Sequence, residues 1–333
     1  MALASPLEFD ALIAEIGEAV AKDFGKGQVA QYIPALRNVA PRRFGMAVFT
    51  VDGKSALYGD ADVPFSIQSI SKVLTLIQAL GHVGSELWRR VGREPSGTRF
   101  NTLSQLEEEK GFPRNPFVNA GALVVTDCVA SHDAMPVRSL VSLARRLSRN
   151  DAIQFDREVA RSEEQTGHVN AAIAHLLKSY GNLMAPVEQV LRLYFHQCAL
   201  AMSCVDLARA FLPLANQGVC PETGVRFLDP RRVKRINALM LTCGLYDGVG
   251  NFAYRVGIPA KSGVGGGIVG VIPRHLSVCV WSPELDAQGN SYVGTKALEL
   301  FTTKTRLSIF CGPGLTRVQG WGPHGASCSS WFS

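Results

Sequence analysis

The sequence predicts a mixed α/β (α+β) protein: an antiparallel sheet flanked by helices from both chain ends, with an all-helical lobe inserted between its halves. Three observations carry this. Strand-like runs cluster in two places, near 44–58 and 267–281, and the stretch from Ser69 to about Met240 is mostly of helical period. A helical pattern also stands at each end, so both termini contribute to one layered unit. A chain of 333 residues, 47% hydrophobic and 19% charged, can bury such a core, and this composition excludes disordered, collagenous and small disulfide-stapled proteins.

The elements follow in order. Ser5-Pro6-Leu7-Glu8 is a capping box with proline at the first helical position, and Phe9, Leu12, Ile13, Ile16 and Val20 continue at helical spacing. Residues 44–51 and 54–58 read as strands joined through Asp52-Gly53, two residues that tolerate positive φ. In the helical stretch, Val169, Ile173 and Leu176 form one apolar stripe with Gly181 as its stop. Val187, Val190, Leu191, Tyr194 and Cys198 form another, and Asp229-Pro230 opens a further helix. Strands return at 267–272 and 276–281 around a Pro273-Arg274 turn, and a last helix covers about 292–303. The expected division is a sheet lobe from 1–68 and 250–305, a helical lobe from 69–249, and a cleft between them. Residues 306–333 read as a disordered or atypical tail, because 311–333 is rich in glycine, lacks acids and has no periodicity.

Charge and cysteines narrow the function. A net +6 from 34 basic and 28 acidic residues is mild, and no Lys/Arg run is dense, so no nucleic-acid partner is expected. None of the eight cysteines forms a Cys-x-x-Cys pair and His-Glu-x-x-His is absent, so neither metal nor cofactor is expected. Glu8, Asp10 and Glu15 precede the first basic residue, Lys22, which argues against a targeting peptide. No apolar run approaches the ~20 residues of a membrane helix. The expectation is a soluble, reduced, cytoplasmic protein.

The strongest local signal is Ser69-x-x-Lys72 at the start of an apolar helix. Three residues apart on a helix, the two side chains share a face. A desolvated lysine there loses its proton more readily and can activate the serine, while the helix N-terminus offers N–H groups to an oxyanion. Lys261-Ser262-Gly263 before a strand parallels the Lys-Thr-Gly of penicillin-recognising serine enzymes. Residues 265–270 formally match G-x-G-x-x-G. A proline-bearing loop precedes them and a strand follows, so a dinucleotide site is rejected. Taken singly, the other polar residues have bland readings. Asn119 is a helix cap, Glu163 a solvated acid, Asn170 a helix-face amide, Tyr194 a core residue and Tyr246 a turn tyrosine.

Together the segments resemble the serine-dependent glutaminases. The resemblance spans roughly 25–305 and rests on Tyr32-Ile33-Pro34, 65–72, Glu94-Pro95-Ser96-Gly97, Arg99-Phe100-Asn101 and 115–122. It continues through Ser162-Glu163 with Asn170, Tyr194-Phe195, 243–247 and 259–268. It implies a serine β-lactamase-like fold and hydrolysis of L-glutamine to L-glutamate and ammonia. It further implies Ser69 as nucleophile, Lys72 as its activating partner, Tyr246 as a second proton-transfer group and Tyr32 in the same pocket. The backbone N–H groups of Ser69 and Val264 would form the oxyanion hole, and Lys261 would tune the electrostatics. Asn119, Glu163, Asn170 and Tyr194 would hold the α-amino and α-carboxylate groups of the substrate. A homodimer or homotetramer is implied as well. The competing expectations are a β-lactamase-like acyl transferase and an amino-acid-binding protein without turnover.

Overall fold

The computed structural model describes residues 6–97 and 102–311. Ser5 of the expected capping box, the Arg99-Phe100-Asn101 motif and the tail from 312 onward lie outside the described residues, as does the side chain of Glu8. At the centre are strands β1 (Gly45–Thr50), β2 (Ser55–Gly59), β6 (Ala260–Ser262), β7 (Gly267–Ile272) and β8 (Leu276–Trp281). They form one antiparallel sheet in the order β2-β1-β8-β7-β6. The two chain ends therefore meet in a single sheet, with β1 paired to β8 from Gly45↔Trp281 to Thr50↔Leu276.

Every residue of β1, β7 and β8 is buried, because helices cover both faces. Met46, Val48, Ile268, Val278 and Val280 face one side, against α1 (Pro6–Val20) and α10 (Tyr292–Thr305). Ala47, Phe49, Val269, Val271 and Cys279 face the other, against Leu207, Ala208 and Phe211 of α8 (Cys204–Ala215). This period-2 segregation is what the alternating sequence encodes. In the β1–β2 turn, Thr50 N–H donates to Lys54 O at 2.9 Å and Gly53 N–H to Thr50 O at 3.1 Å. Of the two residues that tolerate positive φ, only Gly53 uses it, at +87°.

The longer inserted helices are α2 (Ser71–Val83), α3 (Asn119–His132), α4 (Pro136–Ser148), α5 (Arg157–Thr166), α6 (His168–Ser179), α7 (Val187–Cys198), α8 and α9 (Pro230–Cys243). Asp229 caps α9 by accepting from Arg232 N–H at 2.9 Å, as its Asp-Pro start predicts. Three short strands also occur: β3 (Phe65–Ser66), β4 (Gln154–Phe155) and β5 (Leu200–Met202), in the order β3-β5-β4. Two or three residues show no alternation, so periodicity could not reveal them. The stripe on α6 also differs from expectation. Val169 is exposed, and Ile173, Ala174 and Leu177 carry the buried face. Among the described residues no helix is long and apolar enough to cross a membrane.

Candidate active site

β3 leads the chain to Ser69. A 3-10 turn, Gln68–Ile70, follows it and runs directly into α2, so Ser69 stands just before the helix rather than within it. Ser71 Oγ–H donates to Gln68 O at 2.7 Å and closes this turn. Gln68 takes φ +50°, a left-handed conformation that is uncommon outside glycine.

The glycine-rich turn after β6 lies directly on this backbone. A Cβ on Gly263 would overlap Ile67 O, and one on Gly265 would overlap Ser66 O. Gly263 and Gly265 thus serve backbone-to-backbone approach, not phosphate binding. The turn is held by Gly266 N–H donating to Gly263 O at 2.9 Å and by Trp281 Nε1–H donating to Gly265 O at 2.9 Å. Val264 is thereby brought to the wall of the same cleft as Ser69.

Lys72 is fully buried one turn into the site, where its Nζ donates to Phe117 O at 2.9 Å and Asn119 Oδ1 at 2.8 Å. Burial pulls it down to about 8, opposed by Cys198 and Glu163. The lysine is thus bonded to the start of α3, where sequence spacing alone suggested a partnership with Ser69. Asn119 is not a cap: its Oδ1 accepts from Lys72 and its Nδ2 donates to Asn170 Oδ1 at 2.9 Å. The turn-closing role falls to Asn115, whose Oδ1 accepts from Phe117 N–H at 2.9 Å and Val118 N–H at 3.1 Å.

Tyr246 opens a second 3-10 turn after α9, Tyr246–Gly248, also with φ +50°. Burial raises its hydroxyl above the usual tyrosine range, and a hydrogen bond with Ser69 pulls the other way. Behind it, Lys261 on β6 is completely buried and donates to Gly244 O at 2.8 Å and Ser262 O at 2.7 Å. Its ammonium stands 4.7 Å from the centre of the Tyr246 ring. Burial, and then Lys72, drive the Lys261 pKa well below the ordinary lysine value.

Glu163 on α5 is buried, not solvated. Burial lifts it to about 7, while Gln68 and Lys72 work in the opposite direction. Among the described residues its Oε1 has no hydrogen-bond partner. Tyr194 on α7 is buried, as a core residue would be, but its hydroxyl reaches toward Asn119 Oδ1 at 3.4 Å and lines the cleft.

The cleft encloses about 200 Å³. It gathers Tyr32, Ser69, Asn119, Glu163, Asn170, Tyr194, Tyr246 and Val264, with Tyr32 60% exposed at its mouth. Lys72 and Lys261 are not on its lining. A larger surface groove of about 710 Å³, between Met135 and Phe155, contains none of these residues. Sequence reasoning missed Gln68 and Cys198, which line the cleft, and Val169, which it had assigned to the core. Gln68 sat inside the quoted motif, and its position beside the serine was the available signal.

Residues 27–310 match the family model for glutaminase. The chain belongs to the glutaminase family. A glutaminase of Pseudomonas entomophila is 54% identical over 300 residues, covering 90% of this chain and 98% of that one. One of Rhizobium etli is 54% identical over 305 residues, covering 91% and 99%. Among solved structures, a probable glutaminase of Bacillus subtilis superposes with TM-score 0.84 at 33% identity, covering 91% of this chain and 98% of that one. The architecture is the serine β-lactamase-like fold of the glutaminases, and the activity of this family is hydrolysis of L-glutamine to L-glutamate and ammonia.

Proposed function

We propose that this glutaminase works through a γ-glutamyl ester on Ser69, with Tyr246 as proton relay. The supporting observation is that Ser69, Tyr246 and Val264 line one cleft, whereas Lys72 Nζ donates to Phe117 O and Asn119 Oδ1 behind its wall. A phenol held above its usual pKa stays neutral, so it relays a proton better than it stores one. Ser69 Oγ attacks the side-chain carboxamide carbon, and its proton passes to the Tyr246 oxygen. The Tyr246 proton passes to the departing nitrogen, and ammonia leaves as the C–N bond breaks. Water then attacks the ester, and the reverse relay returns a proton to Ser69 as glutamate departs. The backbone N–H groups of Ser69 and Val264 stabilise the oxyanion in both steps. Lys72 and Lys261 act from behind the cleft wall, supplying positive potential to the relay.

Substrate binding follows from charge. Glu163, with an unpartnered oxygen in a low-dielectric site, accepts the α-ammonium. The amides of Asn119 and Asn170 and the hydroxyl of Tyr194 bind the α-carboxylate, and Tyr32 covers the mouth. The protein acts in the cytoplasm as a homodimer or homotetramer, which light scattering on the purified chain checks.

The direct test is ammonia release from glutamine against asparagine. Glutamine should be the preferred substrate. Ser69→Ala should lower turnover by ~10³-fold or more, and Tyr246→Phe by ~10²- to 10⁴-fold. Near-normal turnover in Ser69→Ala would remove the mechanism.

A further inference from the structure

The two elements that flank Ser69 both lie far from it in the chain. Tyr246 sits on the turn after α9, and Val264 on the turn after the edge strand β6. The carriers meet directly only below their tips, where Gly244 lies against Ala260 O and its carbonyl accepts from Ser262 N–H at 3.3 Å and Lys261 Nζ at 2.8 Å. A third segment joins them. Ser262 Oγ–H donates to Asn290 Oδ1 at 2.6 Å, and Asn290 Nδ2 donates to Leu245 O at 3.3 Å. One amide therefore bonds to the residue after Lys261 and to the residue before Tyr246.

The amide is itself held from behind. Asn290 N–H donates to Asp286 Oδ1 at 2.9 Å, and Asp286 N–H donates back to Asn290 O at 2.8 Å. The next residue, Ser291, donates to Ser282 O at 2.6 Å and caps α10 by accepting from Gly294 N–H at 3.2 Å. On the other side, Leu285 pairs with Gln28, the start of the segment that leads to Tyr32, through bonds of 2.9 and 2.8 Å. Leu285 shares a buried cluster with Tyr246 and Val264. Asn290 is 3% exposed, so its amide is desolvated in order to make these bonds.

We propose that Asn290 is a positioning residue that sets the spacing between Tyr246 and the Val264 N–H. The inference rests on the mechanism proposed above. The relay and the oxyanion donor must both address the same carbonyl of the substrate. A displacement of about 1 Å in either carrier costs ~10²-fold in rate without touching the groups that hold the amino-acid end.

The test is steady-state kinetics with glutamine on Asn290→Ala, Ser262→Ala, the double variant and Ser262→Thr, each with a melting curve. The two single variants should each lower kcat ~10- to 100-fold with KM within about twofold, since ground-state contacts are preserved. The double variant should be no worse than Asn290→Ala, because Asn290→Ala already removes the bond that Ser262→Ala breaks. Ser262→Thr, which keeps the hydroxyl, should recover most of the rate. Ser262→Ala probes the same link from its other end if Asn290→Ala does not fold. Unchanged kcat, equal changes in kcat and KM, or additive losses in the double variant would each overturn the role. Ser69→Ala runs beside them: if it retains turnover, the serine mechanism fails, whatever the Asn290 variants do.

Discussion

The five-stranded sheet and the cleft beside it are made under opposite rules. In β1, β7 and β8 every residue is buried, almost all are apolar, and the backbone follows its alternating pattern. The cleft and the layer behind its wall have two buried lysines held by carbonyl and amide oxygens, a carboxyl lifted to about 7, and two non-glycine residues at φ +50°. Each of these is locally unfavourable. The lesson is that the sheet is built for burial, while the cleft retains strain and buried ionisable groups that the proposed chemistry uses. The fold tolerates this because Gln68, Tyr246 and Val264 are anchored to regular elements within a few residues.

If that contrast holds, removing a cleft charge should impair function and improve stability. Lys72→Met tests it most severely. The lysine is at about 8 when folded and 10.5 is its ordinary value. Its stabilising contribution is thus present only above 10.5 and is lost as pH falls through 8, so at pH 7 the penalty is complete. The variant should lose ~10²-fold or more in kcat yet gain about 1–3 kcal/mol at pH 7, a gain that shrinks toward pH 10. Denaturant titrations at the two pH values measure this. A variant destabilised at pH 7 would break the contrast.

Glu163→Gln tests the same idea with a smaller effect. The wild-type kcat/KM should rise with pH through about 7 as Glu163 ionises and becomes able to pair with the substrate ammonium. Glutamine at this position should raise KM ~10- to 100-fold, with less change in kcat, and flatten that limb. The stability sign is opposite to the activity sign. Glu163 keeps its proton to higher pH in the folded chain, so its contribution is full below 4.5 and lost as pH rises through about 7. A pH–rate profile unchanged by Glu163→Gln would separate the residue from ammonium binding.

The same contrast explains what could be read from the amino-acid order. The limits of β7 and β8, the Asp52-Gly53 hairpin and the Asp229-Pro230 helix start were legible because alternation and turn chemistry are local. Ser69 and Lys72 were visible as a spacing, but Lys72 bonds Asn119 forty-seven residues away, and spacing on one helix cannot show that. Glu163 and Tyr194 looked ordinary, since burial and orientation arise only when α5 packs on α7 and α7 meets the Gln68–Ile70 turn. Val169 misled because an apolar side chain at helical spacing reads the same whether it packs in the core or lines a cleft. The family resemblance, rather than any one residue's pattern, brought these positions together.

The central claim is a covalent glutamyl-enzyme on Ser69. It is tested most directly by acid-quenching the enzyme during glutamine turnover, digesting it and locating the adduct by mass spectrometry. The account predicts a glutamyl ester on the peptide containing Ser69, absent in Ser69→Ala, and diverted to γ-glutamyl hydroxamate when hydroxylamine replaces water. An adduct on another residue, or full turnover by Ser69→Ala with no hydroxamate formed, would contradict it.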